Sequence, residues 1–454
     1  AGACLGEKTY QLGAPPEGPK VCVFSLSAAP AARPRAIAPP FPLLQTGGTI
    51  DDASCLDRTA IAGIVAPASI DELAAILAYA RSQKLGVTAA GARHSMGGQS
   101  FSRNGLVIDM RNLRQMALDP VDKVLTVGSG ATWDAVLPFL DARGLSPKAM
   151  QSISIFSIGG SISVNAHGVA HSPGSLASTV RSMRVMLADG TVVNATPAEN
   201  SDLFRCLIGG YGLLGIILDA RLDVTDNALY RPNTTYMDYR EFPAYFSSHV
   251  AGNRSIGLMY GRLSVSPWSW LRETAVHTFQ VIGTTKDCPP LSPDGHVRLK
   301  RTVLNLSKTG PLGRWVRWEA EKHIGDLLQC HTRNQAIGAD PACTTTRNDE
   351  MDDTMAYLKN RLKDTDILQE YFVPRDRFAE FVDGLRAVIE RERVNLLNVT
   401  IRGVDRDSIS ALPYATQDSF ALVLYFNQAP TAKACEAMRR ANRSLIDLAL
   451  RVGG

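Results

Sequence analysis

Three runs of glycine, two of them leading to a histidine, are the residues of this chain best suited to chemistry. The first is Ala89-Ala90-Gly91-Ala92-Arg93-His94-Ser95-Met96-Gly97-Gly98-Gln99-Ser100. Without Cβ atoms in the way, successive backbone N–H groups can close on an anion, and such a nest suits a pyrophosphate. The second run, Ser157-Ile158-Gly159-Gly160-Ser161, leads into Val164-Asn165-Ala166-His167-Gly168 and on to His171. The third, Gly209-Gly210-Tyr211-Gly212-Leu213-Leu214-Gly215, precedes Ile216. Each alone reads equally well as a tight turn, and the first is neither a GxGxxG fingerprint nor a P-loop. Together they offer backbone donors along the whole length of a flat dinucleotide.

Other chemistries find less support. His167 and His171 stand four apart, a metal-ligand spacing on a helix, but Gly168 and Pro173 make a helix doubtful and no carboxylate lies between them. No metal is expected, and a histidine satisfied in the core is the alternative for each. No GxSxG elbow occurs, which sets hydrolase chemistry aside. Eight cysteines include no CxxC pair, so a structural zinc is not expected.

The chain that must position these loops has 454 residues, enough for about two or three domains. Hydrophobic residues make up 45% and charged residues 20%, which supplies a folded core and excludes a disordered scaffold. Lys and Arg total 48 against 44 Asp and Glu, with no basic run interleaved with aromatics, which argues against nucleic acid as a partner. No apolar stretch reaches the roughly 20 residues that span a bilayer.

Residues 1–49 hold eight of the 25 prolines and no helical or strand period, and read as an arm. Ser69 and Glu72 form a capping box for a helix expected to run to Gly86, its buried face at Leu73, Ile76, Leu77 and Ala80. Strands are expected at 87–90, 106–110 and 124–127, a helix at 132–143, and a hairpin from 183–187 to 191–193 turning at Asp189-Gly190. A strand at 216–224 follows the third glycine run. The texture changes near Asn227, with strands at 255–260 and 274–281. The fold class is α+β. The division is an arm (1–49), a cofactor domain (50–226), a substrate or cap domain (227–430) and a C-terminal helix (431–454).

The order of the three loops, with LVIDM at 106–110, SIGG at 157–160, ADG at 188–190 and GLLGII at 212–217, resembles the PCMH-type FAD-binding domain of the vanillyl-alcohol oxidase superfamily over about residues 55–225. RHSMGGQS at 93–100 is similar to the GHSxxGQ loop of cytokinin dehydrogenases and to loops of alditol and sugar-lactone oxidases, in which the histidine carries the flavin. The resemblance implies FAD bonded covalently through His94 to the 8α-methyl carbon, a step that needs a neutral imidazole. No cysteine stands between Cys55 and Cys206, so a second tether is not expected. AHGVAHSPGSLASTVRSMRVMLADG at 166–190 instead resembles decaprenylphosphoryl-ribose oxidases, whose flavin is not covalently held. The cofactor-binding residues so implied are Ala90, Gly91, Ala92, Arg93, His94, Ser95, Gln99, Ser157, Gly159, Gly160, Ser161, Val164, His167, Gly212, Gly215 and Ile216.

Catalysis is expected from His167, Tyr371, Arg402 and Asn427, each equally readable as a polar residue closing a strand or capping a helix. Oxidation of a CH–OH group of a sugar, alditol or sugar lactone by hydride transfer to flavin N5 is the favoured function. CH–NH oxidation of the cytokinin-dehydrogenase kind and a flavin-bearing electron-transfer subunit are the alternatives. Oxygen or an electron-carrier protein would reoxidise the flavin. Where decaprenylphosphoryl-ribose oxidases have an active-site lysine this chain has Ala429, which argues against their substrate. Such families also continue beyond the point where this chain reads Gly453-Gly454, so the final helix is expected to open a returning segment or the pocket to be completed otherwise. Residues 300–323 combine basic residues with Trp315 and Trp318 and read either as a peripheral contact or, preferably, as a solvated face with buried tryptophans. The N-terminal cysteines and the start at Ala1 favour a periplasmic or secreted protein over a cytoplasmic one.

Overall fold

Order sets in before the arm's expected end, because Phe41 and Leu43 pack against the first helix and the Phe41 ring meets Tyr79 edge-on at 5.3 Å. The computed structural model describes residues 39–53, 58–95, 100–172, 174–285, 290–291, 297–329, 344–352, 364–429 and 431–454. Four short strands follow the arm, β1 (Gln45–Thr46), β2 (Thr49–Ile50), β3 (Thr59–Ala60) and β4 (Gly63–Val65). Helix α1 (Ile70–Ser82) begins as its cap predicts, with Ser69 Oγ accepting from Glu72 N at 3.2 Å. The Glu72 carboxylate reaches one residue further back than expected, to Ala68 N at 2.7 Å. The helix stops at Ser82 and not at Gly86, because Lys84 turns left-handed (φ 53) and Leu85 N donates back to Ala80 O at 2.9 Å. Strands β5 (Val87–Ala90) and β6 (Leu106–Asp109) complete a sheet of order β1-β4-β6-β5, parallel from β4 through β5.

The second sheet contains β7 (Met116–Asp119), β8 (Val124–Gly128), β9 (Leu145–Pro147), β10 (Val180–Met186), β11 (Val192–Ala195) and β12 (Ile216–Asp226). Its order is β11-β10-β12-β8-β7, with β9 against the far end of β12. The β10–β11 hairpin turns at Gly190 (φ 90), as Asp-Gly predicts. Helices α2 (Trp133–Asp141), α3 (Ile158–Ser163) and α4 (Ser201–Leu207) cover it.

The third sheet is antiparallel and built from β13 (Ala228–Asp238), β14 (Ile256–Leu263), β15 (Glu273–Thr284), β16 (Thr345–Thr346), β17 (Thr365–Pro374), β18 (Asn395–Val404) and β19 (Ser419–Gln428). The order is β16-β13-β15-β14-β18-β19-β17. Its helices are α5 (Phe242–Tyr245), α6 (Val297–Lys308), α7 (Pro311–Gln329), α8 (Arg347–Met351), α9 (Phe378–Glu392) and α10 (Ala432–Arg451). The two faces differ in chemistry. One buries Ile401, Leu422 and Leu424 under Phe381 and Leu385 of α9 and Leu445 of α10, so the final helix belongs to this layer.

The other face meets α6, α7 and the second sheet. Leu258 and Phe279 share a core with Trp133, Ile162 and Val169, and Met259 N donates to Val169 O at 2.8 Å. Helix α6 is pinned by charge, because Lys308 Nζ lies 3.0 Å from Asp366, whose side chain is 1% exposed. Removing one partner of a buried pair strands the other, so Asp366→Ala is expected to cost about 3–5 kcal/mol in a urea titration.

Candidate active site

Strand β5 ends at Ala90 and delivers the first glycine run to the second. A Cβ on Gly91 would lie 2.0 Å from Ser157 Oγ and 2.5 Å from its Cβ, so the two loops touch only because residue 91 has no side chain. Arg93 takes the left-handed conformation (φ 54), and its carbonyl accepts from Ala53 N at 3.1 Å, which turns the loop back over the sheet. Ser95 Oγ donates to the buried Asp52 at 3.1 Å. The His94 ring packs on Phe156 at 4.5 Å, and burial lowers its pKa from 6.5 to about 4. Gln99 lies outside the described residues. Gly91→Ala is expected to drive the loops apart and lower the ratio of flavin to protein absorbance, and adding Ser157→Gly restores it.

The second and third runs are bound by backbone. Gly159 N donates to Ser129 O at 2.8 Å, Gly209 N to Ile162 O at 3.0 Å and Tyr211 N to Ser163 O at 2.8 Å. Tyr211 and Gly212 have φ 55 and φ 72, a turn that only a glycine-rich run makes at low cost. Ser161 does not face outward, because its hydroxyl accepts from Trp133 Nε1 and donates to Gln151, both at 2.9 Å. Gly215 and Ile216 pack into the sheets, where a Cβ on Gly215 would meet Val185 at 2.7 Å and Ile216 is buried among Met186 and Leu218. These three residues hold the loops in place from behind. The Ser157 Oγ stands 3.0 Å from where a Gly160 Cβ would be.

The remaining loop surface fits a flavin dinucleotide. Val164, Tyr211, Leu213 and Leu214 are exposed apolar residues beside glycine backbone, and the hydroxyls of Ser129 and Ser154 are buried without a protein partner. Large exposed apolar groups along the third run and orphaned buried hydroxyls near the second are what a ligand with a flat ring and a polar chain would satisfy.

A second cluster faces these loops from the third sheet. His167 is buried, and its Nε2 lies 2.9 Å from Glu370 Oε1, off-line for a hydrogen bond, while its Nδ1 has no partner. Arg402 on β18 donates from Nη1 to His167 O and from Nη2 to Ser152 Oγ, both at 3.2 Å, and its buried Nε has no partner. Phe372 and Tyr414 stack at 4.2 Å beside the His167 ring, and Tyr414 donates to Asn165 O at 2.6 Å. Burial raises the Glu370 carboxyl, but the neighbouring His167 and Arg402 overcome it and hold the group below the usual carboxylate range. Its side chain is still 29% accessible.

Cross-strand register builds the cleft floor. Arg262, Thr400, Val423 and Glu370 lie in one row across β14, β18, β19 and β17, with Arg402, Ala421 and Phe372 in the next row. Two expected catalytic residues are elsewhere. Tyr371 points to the opposite face, where its ring packs on Phe381, its hydroxyl donates to Gln369 at 2.8 Å and burial pushes its pKa up. Asn427 donates to Asp366 at 2.8 Å inside the α6 anchor. Glu370 was missed, although it is the immediate neighbour of Tyr371 and alternation along a strand sends the two to opposite faces. Among the described residues, no three His, Cys, Asp or Glu side chains converge as metal ligands.

Residues 61–196 match the FAD-binding domain family. The chain is similar to decaprenylphosphoryl-β-D-ribose oxidase of Mycolicibacterium smegmatis, 36% identical over 143 residues covering 31% of each protein. It is 32% identical to L-gulonolactone oxidase of Mus musculus over 157 residues, 34% of this chain and 36% of the relative. It is 28% identical to cytokinin dehydrogenase 2 of Arabidopsis thaliana over 186 residues, 40% of this chain and 37% of the relative. The matched parts thus span about a third of these relatives. Residues 61–196, which carry the first two glycine runs, therefore belong to an FAD-binding domain of the PCMH type, and FAD is its cofactor. No helix among the described residues is long and apolar enough to cross a membrane.

Proposed function

We propose that this FAD-binding chain oxidises a CH–OH group of a sugar, alditol or sugar lactone, with Glu370 and His167 accepting the hydroxyl proton. The observation that carries this reading is the Glu370–His167 contact at 2.9 Å, set beside Arg402 and Thr400 on one polar cleft floor. FAD, when bound, would supply the hydride acceptor. His167 keeps Nε2 against Glu370 and offers its unpartnered Nδ1 to the substrate hydroxyl, and the ionised Glu370 stabilises the imidazolium that results. The Arg402 guanidinium holds the backbone of residue 167 and leaves its Nε–H for a substrate oxygen. Thr400 and Arg402 match hydroxyl groups, which favours a polyol over an apolar donor.

His94 is proposed as the covalent tether, supported by its depressed pKa of about 4, which keeps the imidazole neutral. An oxidising compartment, periplasmic or extracellular, is proposed because Cys435 is disulfide-bonded. The test is anaerobic mixing of the yellow holoprotein with a panel of alditols, sugars and aldonolactones. Bleaching by at least one polyol, with Thr400→Val raising KM more than it lowers kcat, supports the reading. Bleaching by no member of the panel overturns it. A second reading, CH–NH oxidation, draws on the flat Phe372–Tyr414 stack beside a single carboxylate, and bleaching by a cytokinin in the same assay would favour it.

A further inference from the structure

The turn at 267–270, between β14 and β15, meets the start of α7 and holds large apolar groups outward. Trp268 is 74% exposed and Leu312 66%, with Trp315 and Val316 at 37% and 38%. The Trp268 and Trp315 rings meet edge to face at 5.5 Å, so each indole holds the other away from the core. Trp318, three residues on, is 3% exposed and donates to Glu273 at 2.7 Å. The outward pair is therefore a property of one side of α7 and not of the whole helix. Isolated exposed apolar residues are ordinary, but a contiguous group of this size marks a contact surface.

Beside the patch lies a groove of about 510 Å³ lined by Trp270, Pro311, Arg314, Glu390, Arg393 and Asn395, among others. Arg314 stands 5.4 Å from the Trp270 ring, its hydrogen bond to Asn395 is long at 3.4 Å, and its buried Nε has no partner. Among the described residues, no carboxylate pairs with Arg314, and Arg393 makes no ion pair either. Glu390 is the one acid on the groove.

We propose that this face docks peripherally on the surface of an anionic phospholipid bilayer. Trp268, Leu312 and Trp315 enter the interfacial layer, and a lipid phosphate sits against Arg314 and Arg393. Tryptophan favours the depth where apolar and polar layers meet, and basic groups beside it add attraction to anionic headgroups. A second copy of the chain would bring the same unpaired cations against these, which disfavours self-association as the occupant.

The holoprotein is to be sedimented with vesicles of phosphatidylcholine alone and of phosphatidylcholine with phosphatidylglycerol. The expected result is binding to the anionic vesicles only, weakened by salt. Trp268→Ser with Trp315→Ser should reduce partitioning about tenfold, and Arg314→Gln or Arg393→Gln about fivefold each. Melting temperature and flavin content should not change, because Trp268 is outside both the core and the cleft. Any of these results overturns the proposal: no preference for anionic vesicles, variants that bind as well as the parent, or full displacement by inorganic phosphate, which would make the groove a free-anion site. A dimer that the tryptophan variants dissociate, with no vesicle binding by the parent, identifies a second copy as the occupant and also overturns it.

Discussion

Glu370→Gln is expected to lower kcat by about a hundredfold, the usual contribution of a positioned proton acceptor, while flavin content and melting temperature stay unchanged. The glutamine keeps the volume and the cross-strand register with Val423 but removes the charge that would stabilise a protonated His167. A purely structural role predicts the opposite pattern, a change in melting temperature and little change in kcat. The pH profile separates the two further. Because His167 and Arg402 outweigh burial and depress the Glu370 pKa, the carboxylate stays charged as pH falls through the ordinary value of 4.5. The parent should therefore show no loss of kcat/KM from this group until the pH is below that point. Steady-state oxidation of whichever polyol bleaches the flavin supplies the measurement, and a kcat within about twofold of the parent would remove Glu370 from the mechanism.

What could be read from the sequence divides along chemical lines. The start of α1, the Asp-Gly hairpin and the three glycine runs are legible because each is decided by residues a few positions apart: Ser69 with Glu72, Gly190 at its positive φ, and Gly212 likewise. The candidate site is decided by contacts remote in sequence, such as Arg402 with His167 across 235 positions. Nothing local announces those. Strand β17 shows why the choice fell one residue off. The third sheet is covered on both faces, so residues 365–374 do not alternate cleanly between apolar and polar, and the sequence reading points to Tyr371 alone. Pairing with β19, whose Leu422 faces α9, fixes the phase and puts Glu370 on the opposite face, with Val423. Asn427 lies on the same face as Val423 but four positions along β19, where the α6 anchor takes its amide.

His94→Ala is expected to abolish flavin that stays with the polypeptide after acid precipitation, while native protein still binds FAD. The two halves follow from different parts of the site. Retention in acid requires a covalent bond, and the nucleophile must be an uncharged imidazole. Burial against Phe156 lowers the His94 pKa to about 4, so above that pH the neutral form dominates and the yield of attached flavin should be flat from pH 5 to 8. A histidine at its ordinary value would lose yield as pH fell through 6.5. Native binding, by contrast, is proposed to depend on the loops brought together at Gly91, Gly159 and Tyr211, whose contacts do not use the imidazole. The variant should therefore be yellow until denatured and then colourless, with the parent yellow in both states and its modified peptide containing residue 94. A parent that releases its flavin into the acid supernatant places His94 among ordinary loop residues and leaves the glycine contacts as the whole means of holding FAD. The Gly91→Ala variant would then lose nearly all its flavin, where a tethered protein would keep part of it.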